Sequence, residues 1–176
     1  MLFRSIELVT SAYRGDASRQ GWTTEADILD GQRIDAAMLR TDLDTPGSII
    51  LLAIDRRDDD RPRLVACANI AAQTSADGVS TAYFGMFSVS PDVQGGGIGK
   101  IVLAEAERIA HETLGCARMR MTVIDAREEL IAYYLRRGYG RTGVKKPFPY
   151  GDPRYGLPKR DDLRFEVLEK ILEPMP

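Results

Sequence analysis

The chain opens on apolar residues at Leu2, Phe3, Ile6, Val9 and Tyr13, a helical spacing that the polar Arg14-Gly15-Asp16 brings to an end. A polar stretch to Thr24 precedes two further helical patterns, Glu25 to Asp30 and Ile34 to Leu43, and Thr45-Pro46-Gly47 closes the second as a turn. The period then changes. Ser48 to Ile54 is a continuous apolar run of strand length, Arg56 to Arg63 (RRDDDRPR) is a charged hairpin tip, and Leu64 to Ala72 is the returning strand. Thr81 to Val89 forms a third strand, ended by Ser90-Pro91-Asp92. A glycine-rich turn opens a helix from Gly99 to Leu114, with Ile98, Val102, Ala106 and Ile109 as its core stripe and Gly115 as its stop. Arg118 to Ile124 alternates between Met119, Met121 and Val123 on one face and Arg118, Arg120 and Thr122 on the other, as a half-buried strand does. Asp125 with Glu128 resembles a capping box for a helix that carries Leu130, Ile131, Tyr134 and Leu135 and ends at Gly138. Tyr139 to Val144 and the alternating Leu163, Phe165 and Val167 supply the last strands. Between them, Lys145 to Asp162 holds four prolines and two glycines, which predicts irregular structure inside the domain.

Composition narrows the class. With 176 residues, 44% of them hydrophobic and 28% charged, the chain predicts one globular domain with a core of its own. Cys67 and Cys116 lie in apolar runs without a neighbouring Cys or His at ligand spacing, so they predict reduced core thiols and no metal centre. Twenty-four Lys plus Arg against 26 Asp plus Glu leave a net charge of -2, which argues against general affinity for nucleic acid or an anionic membrane. No apolar run approaches the ~18 residues of a membrane span, and the start lacks a secretory pattern; both place the protein in the cytoplasm. His111 faces away from the helical core stripe and predicts a surface position.

An anionic ligand must therefore be held locally, and the segment Val89 to Lys100 (VSPDVQGGGIGK) is built for that. Glycines at a strand-to-helix junction let backbone N–H groups approach an anion that the helix N-terminus also attracts. A phosphate-binding P-loop needs Gly where Gln94 stands and Ser or Thr where Ile101 stands. A dinucleotide fingerprint starting at Gly95 would place its third glycine on Lys100. Both patterns fail. A helix start that merely tolerates glycine is also disfavoured: each glycine costs about 1 kcal/mol against Ala in a helix, and Lys100 opposes the macrodipole. A bound anion would offset both.

The string Gln94-Gly95-Gly96-Gly97-Ile98-Gly99, after Val89-Ser90-Pro91-Asp92-Val93 and a strand, resembles the acyl-CoA pyrophosphate loop of the GNAT superfamily of N-acetyltransferases. Gln94, Gly97 and Gly99 take the three fixed positions. Downstream, Ala132 to Tyr139 (AYYLRRGY) is similar to the family's helix and turn that carry a tyrosine and a glycine. The resemblance spans about residues 48 to 172 and implies an α/β fold with a mixed, mostly antiparallel sheet flanked by helices. Because Leu2 to Tyr13 already reads as helix, the family's usual first strand is expected to be missing, with Met1 to Ser5 outside the sheet.

The function implied is acetyl transfer from acetyl-CoA, as co-substrate, to a primary amine of a small molecule or peptide, by direct attack on the thioester and without a metal. Backbone groups of Phe87, Ser88 and Val89 would hold the pantetheine arm. Those of Gly95, Gly96, Gly97, Ile98, Gly99 and Lys100, beside Gln94, would hold the pyrophosphate. Tyr134 matches the family's acid: a phenol with a pKa of about 10 stays protonated at neutral pH and can donate to a leaving thiolate. Two departures stand out. Arg127 occupies the position of an asparagine that binds pantetheine in relatives, and Tyr83 occupies that of a glutamate base in histone-type relatives. The base is unassigned; Glu25 or Tyr83 at the end of a water chain are the candidates. The acceptor is expected between Arg14 to Glu25 and Lys145 to Asp162, with Trp22, Glu25, Tyr83, Phe148 and Tyr150 as its wall. Homodimers are common in the family, and the sequence does not decide that point. The rival readings are a regulatory module of the same fold that binds acyl-CoA without turnover, and a nucleotide-binding protein.

Overall fold

The computed structural model describes residues 2–58 and 60–173. Helix α1 (Leu2–Tyr13) is followed by the short α2 (Gly15–Ser18), β1 (Leu29–Asp30) and α3 (Ala36–Asp44). Strands β2 (Ser48–Asp55), β3 (Arg63–Thr74) and β4 (Ser80–Val89) come next, then α4 (Ile98–Arg108), β5 (Arg118–Ile124) and α5 (Glu128–Leu135). The chain ends with β6 (Gly140–Pro147), β7 (Leu157–Pro158) and β8 (Arg164–Ile171). The main sheet has six strands in the order β2-β3-β4-β5-β8-β6, and β1 and β7 form a two-stranded ribbon of their own. Among the described residues only β4 and β5 pair in parallel, and every other pair is antiparallel.

Alternation along the strands divides the core into two layers. Ile50, Leu52 and Ile54 of β2 pack with Leu8, Val9, Ala12 and Tyr13 of α1 and Leu39 of α3. Leu51 and Ala53 turn to the opposite face, where Ala66, Ala68 and Ile70 meet Val102, Leu103 and Ala106 of α4 and Ile131 and Tyr134 of α5. Both faces are covered, which is why β2 reads as an unbroken apolar run. A third cluster of Leu29, Ile124, Phe148 and Leu163 lies under the β1–β7 ribbon at the end of β5.

Most predicted elements are present, and the described chain begins in helix with β2 at the sheet edge. Met1 lies outside the described residues, as does Asp59 of the charged hairpin tip. Four expectations are corrected. Glu25 to Asp30 is one turn, closed by the N–H groups of Ile28 and Leu29 on the Glu25 carbonyl, and it then runs into β1. Too few residues separate it from the ribbon for a helix to continue. Asp125 does not cap α5, whose N-cap is Arg127; its carboxylate instead accepts from the Arg164 N–H and Lys145 Nζ. α4 passes into a π-helical turn over Ile109–Thr113, which lets the Leu114 N–H reach the Ile109 carbonyl and leaves His111 half-buried. The predicted loop from Lys145 begins as strand, since β6 runs to Pro147 against Arg164. Pro147 is tolerated there because β6 is an edge strand. The thiols of Cys67 and Cys116 are free and buried, and burial pushes Cys67 up to about 12.

Candidate active site

β4 and β5 pair at only three positions, Thr81, Ala82 and Tyr83 opposite Arg118, Met119 and Arg120. Beyond Tyr83 the strands part, while β4 continues to Val89 along β3. A register shift opposite Cys67 to Asn69 and a positive φ of 52° at Met86 mark a bulge in this part of β4. A cleft of about 510 Å³ opens here, between the end of β4, the glycine turn and α5. Tyr13, Phe87, Val89, Gly97, Gly99, Tyr133 and Tyr134 line it, with Lys100, Arg136 and Arg137 as its cations.

The turn takes the shape an anion needs. Gly95 and Gly97 have φ of 84° and 85°, where a side chain would be strained. The N–H of Gly96 goes to the Val93 carbonyl, and those of Lys100 and Ile101 to that of Gly97. Those of Gly97, the N-cap of α4, and of Ile98 and Gly99 in its first turn receive no carbonyl from the helix. A Cβ on Gly99 would come within 3.0 Å of the Tyr133 hydroxyl and 3.5 Å of the Phe87 ring, so glycine keeps this passage open. The Tyr133 hydroxyl and Arg137 Nε are both buried without a hydrogen-bond partner. Free N–H groups, orphaned donors and three cations make this end of the cleft suited to an anion.

Several of the expected carrier-binding side chains are already engaged within the protein, and Gln94 most fully. Its Oε1 accepts the Trp22 N–H at 2.9 Å, and its Nε2 donates to Thr23 Oγ1 and the Val89 carbonyl at 2.9 Å each. It ties the turn to the loop after α1. The Phe87 carbonyl likewise accepts from the Tyr13 hydroxyl, and Ser88 is buried, its hydroxyl on the Met86 carbonyl at 3.1 Å. Arg127 does not line the cleft. Its Nη1 meets Glu25 at 2.9 Å, and its Nη2 donates to the Thr23 carbonyl.

Tyr134 lines the cleft and is buried, with Tyr133 and Tyr139 edge-on at 5.3 and 5.8 Å. Burial pushes its phenol well above the ordinary value, and neighbouring Tyr13 and Tyr133 add to this. The phenol therefore stays protonated throughout the physiological range.

The two base candidates fare differently from expectation. Glu25 is buried and bonded by both Arg14 and Arg127. Burial alone would raise its pKa, but Arg127, Arg33 and Arg14 outweigh it and hold the carboxyl below the usual range. A carboxylate so stabilised is a weak base and no free partner for an ammonium. The Tyr83 hydroxyl pairs with Thr122 at 2.9 Å and faces a separate small cavity with Arg120 and Lys146.

The segment after Lys145 meets the chain just past Glu25, through the β1–β7 ribbon and a bond from Lys159 Nζ to the Ala26 carbonyl, and among the described residues none of Lys145 to Asp162 lines the cleft. Trp22 stacks at 5.3 Å on Tyr133 at the rim of the cleft. Phe148 is instead core, packed on Phe165 and Tyr150. Tyr150 stitches its own loop, accepting from the Leu163 N–H and donating to the Arg160 carbonyl. Sequence reasoning missed Tyr13, Tyr133 and Arg137 as lining residues. Tyr133 sits beside the recognised tyrosine, but no local signal ties Tyr13 to β4.

The sequence profile of the acetyltransferase (GNAT) family matches residues 9–139. The chain belongs to this family. Among solved structures it is similar to a putative phosphinothricin N-acetyltransferase, at 16% identity and a TM-score of 0.63 over 97% of this chain and 90% of that one. It is also similar to Naa20 of Chaetomium thermophilum in complex with a bisubstrate analogue, at 17% identity and a TM-score of 0.63 over 81% and 75% of the two chains. A nourseothricin acetyltransferase matches at 19% identity and a TM-score of 0.55 over 73% and 67%. At these identities the likeness is one of fold. No curated protein matches the sequence. Among the described residues, no helix is long and apolar enough to cross a membrane, and no cluster of His, Cys, Asp or Glu has the make-up of a metal site.

Proposed function

We propose that the protein transfers an acetyl group from acetyl-CoA to a primary amine, by direct attack of the neutral amine on the thioester. The observation that carries this reading is the parting of β4 and β5 after Tyr83, which joins the free N–H groups of the glycine turn to Tyr134 in one cleft. In this reading acetyl-CoA supplies the activated acyl group and a thiolate leaving group. The first turn of α4 holds the diphosphate, with Lys100, Arg136 and Arg137 around it. The Tyr133 hydroxyl finds there the acceptor it lacks in the protein. Tyr134 donates its proton as the thiolate departs. Its raised pKa is no obstacle, because a thiolate formed in the same desolvated opening is a stronger base than one in water. The amine loses its proton to solvent-linked water, since both carboxylate and phenol candidates for a base are engaged elsewhere.

The test is release of free CoA thiol from acetyl-CoA against a panel of primary amines. Amine-dependent release that Tyr134→Phe suppresses supports the reading. Tight acetyl-CoA binding with no release for any amine would instead mark a regulatory module of the same fold.

A further inference from the structure

Tyr13 lines the cleft but takes no part in the chemistry assigned to Tyr134 and the glycine turn. It ends α1 and belongs to the layer of Leu8, Val9 and Leu39, whereas α4, α5 and Tyr134 form the layer on the other face of the sheet. Where β4 and β5 have parted, the two phenols border one opening from opposite sides. The Tyr13 hydroxyl donates to the Phe87 carbonyl, next to the bulge at Met86. Burial keeps this phenol above its ordinary pKa although Arg33 and Arg127 draw it down, so the proton stays where it is.

A phenol whose proton is committed still has a lone pair, so what Tyr13 offers the cleft is an acceptor. It offers it on the side from which a nucleophile can come. A carrier held between the glycine turn and α5 fills the face of the sheet to which Tyr134 belongs, and an amine must meet the thioester carbon from elsewhere. α1 and the chain that follows it bring three residues to the cleft, Tyr13, Trp22 and Thr23. The Thr23 hydroxyl donates to the Ala12 carbonyl at 3.1 Å and accepts from Gln94 at 2.9 Å, and Trp22 presents its ring to Tyr133. That leaves the Tyr13 oxygen. Glu129 lines the cleft too, but it is exposed on α5, the helix of Tyr134.

We propose that Tyr13 orients the acceptor: its oxygen accepts one N–H of the neutral amine and so aims the nitrogen lone pair at the thioester carbon. This rests on the transferase reading. The C–N bond forms as the C–S bond breaks, the electron pair of that bond goes to sulfur, and sulfur takes the Tyr134 proton. Water takes the proton that nitrogen loses, and solvent returns one to Tyr134. Tyr13 keeps its own proton throughout. The test pairs the Tyr13 hydroxyl with the donor of the ligand. An accepted primary amine is compared with two analogues in which OH or F replaces NH2, used as inhibitors of CoA thiol release; the alcohol has a proton to give Tyr13 and the fluoride has none. In the wild type the alcohol should inhibit at least about fivefold more strongly, the worth of one hydrogen bond. In Tyr13→Phe, which keeps the ring and its packing, the two should agree within about twofold and kcat/KM for the amine should fall at least about tenfold. Calorimetry should place the acetyl-CoA Kd of this variant within about threefold of the wild type. A preference for the alcohol that survives in Tyr13→Phe, or is absent from the wild type, overturns the proposal and leaves the transferase reading intact. So does acetyl-CoA affinity lost together with amine turnover, the result expected if the hydroxyl only braces β4. No release with any amine would bring down the transferase reading itself, and the proposal with it.

Discussion

Glu25→Gln separates a structural carboxylate from a catalytic one. The substitution keeps the shape of the side chain and removes the charge on which Arg14 and Arg127 converge. Glu25 is 5% exposed and Arg14 6%, so the arginines cannot turn to water without opening the loop. Breaking a buried ion pair from one side costs about 3–5 kcal/mol, because the remaining charge is left uncompensated. For a chain of this size each kcal/mol moves Tm by about 2–4 °C, which gives an expected fall of about 6–20 °C. The pH dependence has a definite sign. The folded pKa of Glu25 is depressed below that of the unfolded chain, so its contribution is complete above the unfolded value of about 4.3 and is lost as pH falls through the folded one. Calorimetry between pH 3 and 8 should therefore show the wild-type advantage at neutral pH shrinking on acidification, with the two proteins converging at the acid end. A variant whose Tm stays within about 2 °C of the wild type, but whose amine KM rises, would refute the reasoning and return Glu25 to the acceptor site.

Gly97→Asp places a Cβ and a carboxylate at a residue with φ of 85°, the N-cap of α4. The protein should still fold, since nothing lies within 4 Å of the added Cβ, while acetyl-CoA affinity measured by calorimetry falls at least about 100-fold. Tyr134→Phe keeps the ring and removes the donor, so kcat should fall about 10²- to 10⁴-fold with the acetyl-CoA Kd unchanged; a change within about threefold would discard the assignment. Tyr150→Ala removes the hydroxyl that joins Arg160 to Leu163 and the ring packed on Phe148. It should destabilise by about 1–3 kcal/mol in urea unfolding and leave the acetyl-CoA KM alone.

The parts of the fold legible in the sequence are those with local periodicity. β5 shows its strict alternation, α1 its apolar spacing, and the turn before α4 its glycines, each within one element. What was not legible depends on partners remote in the chain. Glu25 resembles an ammonium ligand until Arg127, 102 residues away, is found beside it. Phe148 and Tyr150 look alike as loop aromatics, yet one is buried in the cluster with Ile124 and the other is 44% exposed. Gln94 matches a binding motif, but its side-chain amide is spent on Trp22, Thr23 and Val89. The motif finds the turn; it does not say which of its groups point outward. Asp125 failed as a cap for a related reason, since β8 offered its backbone N–H to the same carboxylate.

The segment from Tyr13 to Asp30, regular only in the short α2 and β1, has a place in this site that its short elements conceal. Through Tyr13 it touches the Phe87 carbonyl of β4; through Trp22 and Thr23 it holds Gln94 of the glycine turn. Through Glu25 and the Thr23 carbonyl it holds Arg127 at the start of α5. These are the three elements that border the cleft, and they otherwise belong to separate parts of the chain. Gly21 is part of the same fit, because a Cβ there would lie 2.5 Å from Gln94 Oε1. The other end of the loop is fixed in turn, by the β1–β7 ribbon and the Lys159 bond to Ala26. Trp22 and Thr23 thus tie the glycine turn to the Glu25 cluster, since both are bonded by Gln94 and the Thr23 carbonyl by Arg127, which also holds Glu25. The wall of the cleft is held by a single glutamine and a single glutamate, of which Gln94 lines the cleft and Glu25 supports it from behind.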